Sequence, residues 1–343
     1  MRTVIFALGL ILCGLCARAF TIEEETTFPG AEAQTRLLSI LSTTDTAVLA
    51  PVISAFQTRN PDVKIRYTVA SSQEVFAAIE GERLPFDLVI SSAMDLQMKL
   101  ANDGFADPYQ SAETARLPSW AHWQDRLFAF AQENVVLIVS RRGLGGRPLP
   151  QTRRDLIELL RGNPDLFRGR IGTYDPRQSG AGYLFATQDA RQSDSFWRLA
   201  EVMGGLEPRL YTSSNDMISD LQHGRLVLAY NVLGSYAGPR LADDSDAVVI
   251  ELEDHTLTLL RTGLVPGNAV SPALGGAFLD FLLGSEGSRL VRDEAGLPPI
   301  DEVALSRGPH LRPMRLDPGL LVFLDAIKRQ AFLEEWSAAL SRN

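Results

Sequence analysis

Small hydroxyl residues recur where predicted strands give way to predicted helices. Ser91 and Ser92 follow an apolar run at 86–90, and Ser71 and Ser72 follow an alternating run just upstream. At such turns the helix N-terminus presents unpaired N–H groups, which together with hydroxyls suit an anion such as a phosphate or a carboxylate. Serine is also an ordinary helix N-cap, so each turn taken alone favours a structural cap. Three such turns at one sheet edge, the third after a strand at 37–41, would form a binding cleft.

The most suggestive turn is RQSGAGY at 177–183. It follows a predicted strand at 171–175 and leads into a predicted helix at 181–190. Its small residues leave backbone N–H groups uncovered, the helix dipole favours an anion, and Arg177 would add a bidentate contact. A tight strand-to-helix turn also requires small residues, so both interpretations stay open at this point.

The elements that must position these turns alternate between strands and helices. Short runs rich in β-branched residues are typical of a parallel sheet covered on both faces, and such alternation favours an α/β fold. The polar, acidic residues 20–35 predict a loosely held arm, and strands at 127–130 and 135–139 are a candidate crossing between two lobes. Further predicted strands are 63–69, 86–90, 210–212, 227–230, 247–252 and 256–260, and predicted helices are 47–56, 73–79, 155–160, 194–203, 216–223, 273–283 and 320–340.

Residues 1–19 have the pattern of a secretory signal peptide. Arg2 gives a positive start, residues 4–15 are apolar, and Ala17 and Ala19 form an A-x-A cleavage site. Both cysteines of the chain lie in this segment, and neither follows a small residue, so a lipid-anchored cysteine is not expected. The pattern predicts export to the periplasm through a cleaved signal peptide.

Composition and missing motifs exclude several classes of function. The net charge of −9 argues against nucleic acid as a partner. The four histidines are scattered without metal-ligand spacing, so no metal is expected. The sequence has no G-x-S-x-G elbow, no Walker phosphate loop and no G-x-G-x-x-G opening a helix after a strand. We therefore expect neither an enzyme nor a cofactor.

Several motifs in their order along the chain resemble one family, the periplasmic solute-binding proteins of ABC transporters. The resemblance is to the branch shared by iron(III)-binding, hexose-phosphate-binding and phosphoglycerate-regulatory (PgtC-like) proteins. It is carried by FDLVISSAMDLQMKLANDGFA (86–106), IGTYDPRQSGAGYLFATQ (171–188), GRLVLAYNVLGSYA (224–237) and VPGNAVSPALGGAFLDFLLGSEGSRLV (265–291).

The resemblance implies a type II periplasmic-binding-protein fold. In this fold each of two lobes is a mixed, mostly parallel sheet flanked by helices, and the ligand cleft lies between the lobes. The first lobe would comprise 36–131 and 262–305, the second 132–261 and 312–343, and the protein would be a monomer. The ligand contacts implied by matching motif to motif are Thr43, Thr44, Asp45, Ser71, Ser72, Ser91, Ser92 and Ala93 from the first lobe, and Ser179, Gly180, Gly182, Asn215, Tyr230 and Asn231 from the second.

One departure from the family pattern bears on the ligand. Iron(III)-binding members carry two adjacent tyrosines shortly after the strand corresponding to 227–230. Gly234 and Ser235 stand at about those positions here, whereas Tyr230 and Tyr236 are six positions apart. The resemblance therefore implies a receptor that delivers a small anionic solute (a phosphorylated sugar, a phosphonate or an organic acid) to a membrane ABC permease. The alternative is a periplasmic component that reports the ligand to a membrane histidine kinase, and iron(III) is a less favoured ligand.

Overall fold

The structure is a computed structural model that describes residues 20–341 apart from residues 32 and 34. The predicted signal peptide, residues 1–19, lies outside the described residues. None of the helices described is both long and apolar enough to cross a membrane.

The described strands form one mixed sheet. They are β1 (Glu24–Phe28), β2 (Arg36–Ser42), β3 (Val63–Val69), β4 (Leu88–Ser91), β5 (His122–Trp123), β6 (Leu127–Ser140), β7 (Ile171–Tyr174), β8 (Arg209–Tyr211), β9 (Leu228–Leu233), β10 (Ala247–Ile250), β11 (Thr256–Leu264) and β12 (Leu311–Pro313). Their order is β1-β3-β2-β4-β11-β6-β9-β7-β8, with β5 and β10 paired to β6 and β12 paired to β11. β2 runs parallel to both β3 and β4, as the successive strand–helix units predict.

Helices cover the sheet. They are α1 (Thr46–Arg59), α2 (Ser72–Glu80), α3 (Met94–Asn102), α4 (Arg141–Leu144), α5 (Arg153–Gly162), α6 (Pro164–Phe167), α7 (Gly180–Gln192), α8 (Ser195–Gly204), α9 (Ser214–Gln222), α10 (Gly234–Leu241), α11 (Pro272–Leu283), α12 (Ser285–Asp293), α13 (Glu302–Arg307) and α14 (Ala326–Ser341), with 3₁₀ turns at Thr114–Arg116 and Pro318–Leu324. The helix predicted over 320–340 is therefore two elements. The break lies at Asp325, whose side chain accepts a hydrogen bond from the Lys328 N–H at 3.1 Å and so begins a new helix.

Strand β6 joins two halves of the sheet. The first half-sheet consists of β1, β3, β2, β4 and β11, with β5 and β12. The second half-sheet consists of β9, β7, β8 and β10. Residues 128–134 of β6 pair with β11, and residues 135–139 pair with β9. The predicted crossing is therefore one continuous strand that belongs to both halves.

The predicted interruption of this strand was wrong because its polar residues find partners inside the sheet. Glu133 accepts a hydrogen bond from Arg261 at 2.6 Å, and Asn134 accepts one from Thr258 at 2.6 Å. Polar side chains that are paired in this way do not end a strand.

The N-terminal arm is also more ordered than the sequence predicts. Residues 24–28 form β1, which pairs antiparallel with β3 at the edge of the first half-sheet, with Glu24 opposite Val69. Its glutamates and threonines lack the apolar alternation of a half-buried strand, because an edge strand with one exposed face does not require it.

One apolar cluster, which includes Val89 of β4 and Ala229 of β9, extends across both half-sheets, and each half-sheet also has an apolar core of its own. Leu38, Ile40, Val52 and Phe278 lie in the first core, which is packed between β2, α1 and α11. A second core, which includes Leu156 of α5, lies on the other half-sheet. The predicted α/β class is confirmed.

Strand β11 pairs with β4 and with residues 128–134 of β6, so it belongs to the first half-sheet. The predicted lobe boundaries instead assign residues 256–261 to the second lobe. Those boundaries stay a prediction.

Candidate functional site

A cavity of about 70 Å³ is walled by residues of both half-sheets and of the helices that follow their strands. Six of the predicted ligand contacts line it. The lining residues are Glu23, Thr43, Asp45, Ala70, Ser71, Ser72 and Ser92 on one side, and Tyr174, Ser179, Ala181, Thr212, Ser213, Ser214, Leu233 and Tyr236 on the other. We call this space the cleft cavity.

Helix N-termini converge on the cleft cavity. Five of its lining residues are N-caps, namely Asp45 of α1, Ser71 of α2, Ser179 of α7, Ser213 of α9 and Leu233 of α10. Each N-terminus carries unpaired N–H groups and about half a positive charge from the helix dipole. The wall therefore favours negative charge, although Asp45 and Glu23 bring carboxyls of their own.

The capping serines show that the two interpretations of these turns are compatible. The Ser71 hydroxyl accepts the Glu74 N–H at 3.3 Å, and the Ser179 hydroxyl accepts the Gly182 N–H at 3.1 Å. A hydroxyl that caps a helix uses one lone pair as acceptor. Its O–H is left to donate to a ligand oxygen, so a cap can also be a ligand contact.

Direct contacts close the cavity by joining its two walls. The Ala181 N–H donates to the Ser72 hydroxyl at 3.2 Å, and the Asn215 side-chain amide donates to the Asp45 carboxylate. Gly180 is required for this approach, because a Cβ there would lie 2.8 Å from the Ser72 hydroxyl oxygen. Asn215 and Gly180 therefore connect the walls and do not themselves line the cavity.

Four other predicted contacts lie in the structure around the cavity. Thr44 accepts a hydrogen bond from Arg261 at 2.7 Å, and Ser91 accepts the Ala93 N–H at 3.1 Å. Ala93 is fully buried, and a Cβ on Gly182 would lie 2.5 Å from Cβ of Tyr174. These residues shape the turns on which the lining residues stand.

Tyr230 and Asn231 belong to a different site, a buried group that we call the Asp189 cluster (Arg153, Asp189, Tyr230, Asn231 and His255). The Tyr230 hydroxyl donates to Asp189 and accepts from Arg153 at 2.8 Å. Arg153 and His255 contact the Asp189 carboxylate at 2.7 Å and 2.6 Å. Burial alone would raise the pKa of Asp189, but the Arg153 charge and the hydrogen bond with His255 outweigh it and hold that pKa below its ordinary value.

Sequence reasoning missed three side chains that matter in the cleft cavity. Glu23 is the residue before β1 and lies at the mouth of the cleft cavity, although the sequence predicts a loose arm for this segment. Tyr174 ends β7, and Tyr236 lies in the first turn of α10. Burial raises the pKa of both phenols, which keeps them protonated as hydrogen-bond donors. Ser213 and Ser214 carried a usable signal, because they follow the predicted strand 210–212 as Ser71 and Ser72 follow theirs.

Burial also raises the pKa of both carboxyls of the cavity. The Asp45 and Asp216 charges add to the effect of burial on Glu23. For Asp45, the hydrogen bond from Asn215 and the charge of Arg261 oppose it in part. Within the part of the chain that the structure describes, no three His, Cys, Asp or Glu side chains come together to hold a metal ion.

The chain matches a family of known proteins and is similar to solved structures. The model of the family described as bacterial extracellular solute-binding protein matches residues 38–294. The substrate binding protein of an ABC transporter from Agrobacterium tumefaciens is 32% identical, with a TM-score of 0.89 over 92% of this chain and 98% of that one. A search of curated proteins gave no match.

Two more distant structures have the same fold. The fructose-6-phosphate-bound periplasmic binding protein AfuA from Actinobacillus pleuropneumoniae is 16% identical, with a TM-score of 0.73 over 90% of this chain and 100% of that one. Iron-bound HitA from Pseudomonas aeruginosa is 19% identical, with a TM-score of 0.63 over 89% of this chain and 97% of that one. The predicted two-lobed binding-protein fold is confirmed. Since a family model covers most of the sequence and a 32% identical relative aligns over nearly all of both chains, this chain belongs to the bacterial extracellular solute-binding protein family.

Proposed function

We propose that the protein is the periplasmic receptor of an ABC importer and that it captures a small anionic solute by closing two lobes around it. The similar Agrobacterium tumefaciens protein is described as the substrate binding protein of an ABC transporter. The convergence of helix N-caps and hydroxyls on the cleft cavity carries the anionic part of the proposal. Such groups donate hydrogen bonds to oxygens and favour negative charge.

The volume of the cavity narrows the class of ligand. About 70 Å³ holds roughly five water-sized groups. A phosphonate or a short organic acid matches this size better than a phosphorylated sugar does. The protonated Tyr174 and Tyr236 suit an oxygen acceptor better than iron(III), which is bound by tyrosinates.

Binding alone explains the lining residues, and we infer no catalysis. Within the described part of the chain, the side chains that line the cavity include no histidine, lysine or arginine that would activate a serine hydroxyl as a nucleophile. The hydroxyls that cap helices are also fixed as acceptors of backbone N–H groups.

Closure of the two lobes around a ligand would link binding to a change in the shape of the receptor. We propose lobes at 36–131 with 262–305 and at 132–261 with 312–343, joined through β6. A ligand that contacts Ser71 on one wall and Ser179 on the other is bound more tightly when the walls are together. The Ser72–Ala181 and Asp45–Asn215 contacts join the two walls and would be lost if the walls separated.

A thermal-shift and calorimetric screen tests the proposed function. The panel holds phosphate esters, phosphonates, di- and tricarboxylates, and ferric ion with and without citrate. A ligand at 100-fold over its Kd adds about 2.7 kcal/mol to the free energy of unfolding. Stabilisation by one anion class supports the proposal, whereas stabilisation by ferric ion alone, or by no anion, contradicts it. An anion that binds but whose uptake does not need the protein would favour the histidine-kinase alternative.

A further inference from the structure

Two carboxyls line a cavity whose helix N-termini and hydroxyls otherwise favour an anion. Asp45 stands on the wall and Glu23 at the mouth, and among the described residues no lysine or arginine side chain lines the cavity beside them. An anionic ligand alone would be repelled by both. A receptor for simple anions gains nothing from this pair, so the pair calls for a separate explanation.

The chain brings Glu23 to the cavity through the register of an edge strand. Glu24 is opposite Val69, the last residue of β3, and the Glu23 N–H donates to the Val69 carbonyl at 2.8 Å. Glu23 therefore lies beside the turn that begins at Ala70. The Thr21 N–H donates to the Glu74 carboxylate at 2.9 Å and ties the arm to α2.

Positive charge near the cavity lies behind its wall. The guanidinium of Arg261, which is 1% exposed, is 5.7 Å from the centre of the Tyr236 ring. Its Nη1 donates to Thr44 and its Nε to Glu133, but its Nη2 has no hydrogen-bond partner among the described residues. Because Arg261 is paired with Glu133, the positive charge that the inner wall offers comes from the helix N-termini, whereas Glu23 and Asp45 bring carboxyls to the cavity.

We propose that the ligand is a small zwitterion, whose anionic group binds the hydroxyls and helix N-termini and whose ammonium group binds Glu23 and Asp45. This inference rests on the proposed function, since it assigns a ligand class to the same cavity. An ammonium group turns the carboxyl pair from a source of repulsion into charge-assisted hydrogen bonds. It also explains why an acidic side chain is carried to the cleft on the N-terminal arm.

Matched ligands test the proposal by calorimetry on the protein at pH 7.5. The pairs are O-phosphoethanolamine with ethyl phosphate and β-alanine with propionate, and ethanolamine is the cation-only probe. We expect at least one zwitterion to bind ten times or more tightly than its anionic partner, with ethanolamine weaker than both. Equal affinities within both pairs would overturn the zwitterion while leaving the anion receptor in place.

Substitution of Glu23 distinguishes a loss of charge recognition from a loss of folding. Glu23→Gln should weaken the better zwitterion about 10- to 100-fold, the range of a lost charge-assisted hydrogen bond, and leave its anionic partner unchanged or bound more tightly. Glu25→Gln is the control, because Glu25 is exposed on the same arm and accepts a hydrogen bond from Thr68 at 3.1 Å. Equal losses in the two variants would overturn the proposal. If ethanolamine binds as tightly as the zwitterions, or no anion or zwitterion binds, both this inference and the anionic function fail.

Discussion

The Asp189 cluster and the cleft cavity both contain carboxyl and tyrosine side chains, but they differ in how completely their polar groups are paired. In the Asp189 cluster, Arg153, Tyr230 and His255 surround one carboxylate, and all four side chains are buried. In the cleft cavity, the Ser71 and Ser179 hydroxyls accept backbone N–H groups and keep an O–H to donate, and two carboxyls line the space, of which Asp45 accepts a hydrogen bond from Asn215.

The difference shows how the pairing of polar groups distinguishes a structural site from a binding site. A buried ion pair whose hydrogen bonds are complete has no donor or acceptor left to bind a ligand. Removing one partner leaves the other charge buried and unpaired, which strongly destabilises the fold. A wall whose hydrogen bonds are incomplete is where a solute supplies the missing partners. Tyr230 and Asn231 match the family motif, but their side chains are already in use.

The largest expected effect is on the completely paired site. Asp189→Ala should lower the free energy of unfolding by about 3–5 kcal/mol, because Arg153 would stay buried without its main carboxylate. Ligand affinity per folded molecule should not change, since no residue of the Asp189 cluster lines the cavity. Urea unfolding measures the first quantity and calorimetry the second.

Tyr230→Phe is the milder control for this comparison. It removes one hydroxyl from the Asp189 cluster and should lower the unfolding free energy by about 1–2 kcal/mol. A loss of affinity at unchanged stability would instead place Tyr230 in the ligand site and break the comparison.

Asp95 is a buried acid without the pairing that Asp189 has. Its Oδ1 has no hydrogen-bond partner among the described residues, and burial raises its pKa to about 7. The unfolded chain loses this proton near pH 4, so the folded state binds more protons between about pH 4 and 7, and stability should fall as pH rises through that range. The lowered pKa of Asp189 has the opposite sign: its contribution is lost as pH falls below about 4.

Asp95→Asn should remove that fall and stabilise the protein above pH 7 by on the order of a few kcal/mol. Urea unfolding of wild type and variant at pH 5 and pH 8 measures the difference between their pH dependences. Identical pH dependences would show that Asp95 does not hold its proton in the folded state.

Two matched N-cap substitutions compare a capping hydroxyl that lines the cavity with one that does not. Ser179→Ala and Thr152→Ala each remove a capping hydroxyl, from α7 and α5, and each should lower the unfolding free energy by about 1 kcal/mol. Only Ser179 lines the cavity, so only its loss should weaken ligand binding, by about tenfold. If both variants keep full affinity, Ser179 is a cap alone.

The smallest expected effect is on closure. Asn215 donates to Asp45 on the opposite wall and accepts from Arg240, so Asn215→Ala removes one bridge between the walls. We expect a loss of affinity of about three- to tenfold, with an unfolding free energy within about 0.5 kcal/mol of wild type. Small-angle scattering without ligand should show a larger radius of gyration in the variant. An unchanged radius and affinity would mean that the bridge does not stabilise closure.

Much of the fold could be predicted from the sequence because its helices and strands have strong local patterns. The strand Val63–Val69 was predicted residue for residue from its alternation. Gly104 is a further local signal, because a glycine just beyond a helix accepts a positive φ: it has φ +82°, and the Phe105 N–H is bonded to the Leu100 carbonyl at 2.9 Å. β1 and the centre of β6 escaped prediction, since their polar residues are explained only by partners far along the chain.

The residues of the candidate site also differ in whether a local sequence pattern identifies them. Ser71, Ser92 and Ser179 were identifiable because a hydroxyl between a strand and a helix is a local signal. Glu23 was not, because only its backbone pairing with Val69 brings it to the cavity. Tyr230 was placed in the site by its position in a motif, whereas the structure pairs it with Asp189, forty-one positions upstream.

The sequence by itself determined the α/β class, the order of the strand–helix units and the turns that carry the cavity hydroxyls, because hydrophobic periodicity and capping act over a few residues. Only the tertiary structure decided which polar groups are paired with one another and which are left to face the cavity. That distinction depends on contacts between residues far apart in the chain, such as Arg261 with Glu133 and Asn215 with Asp45. No local pattern records such contacts, since each partner is an ordinary polar residue until the fold brings the two together.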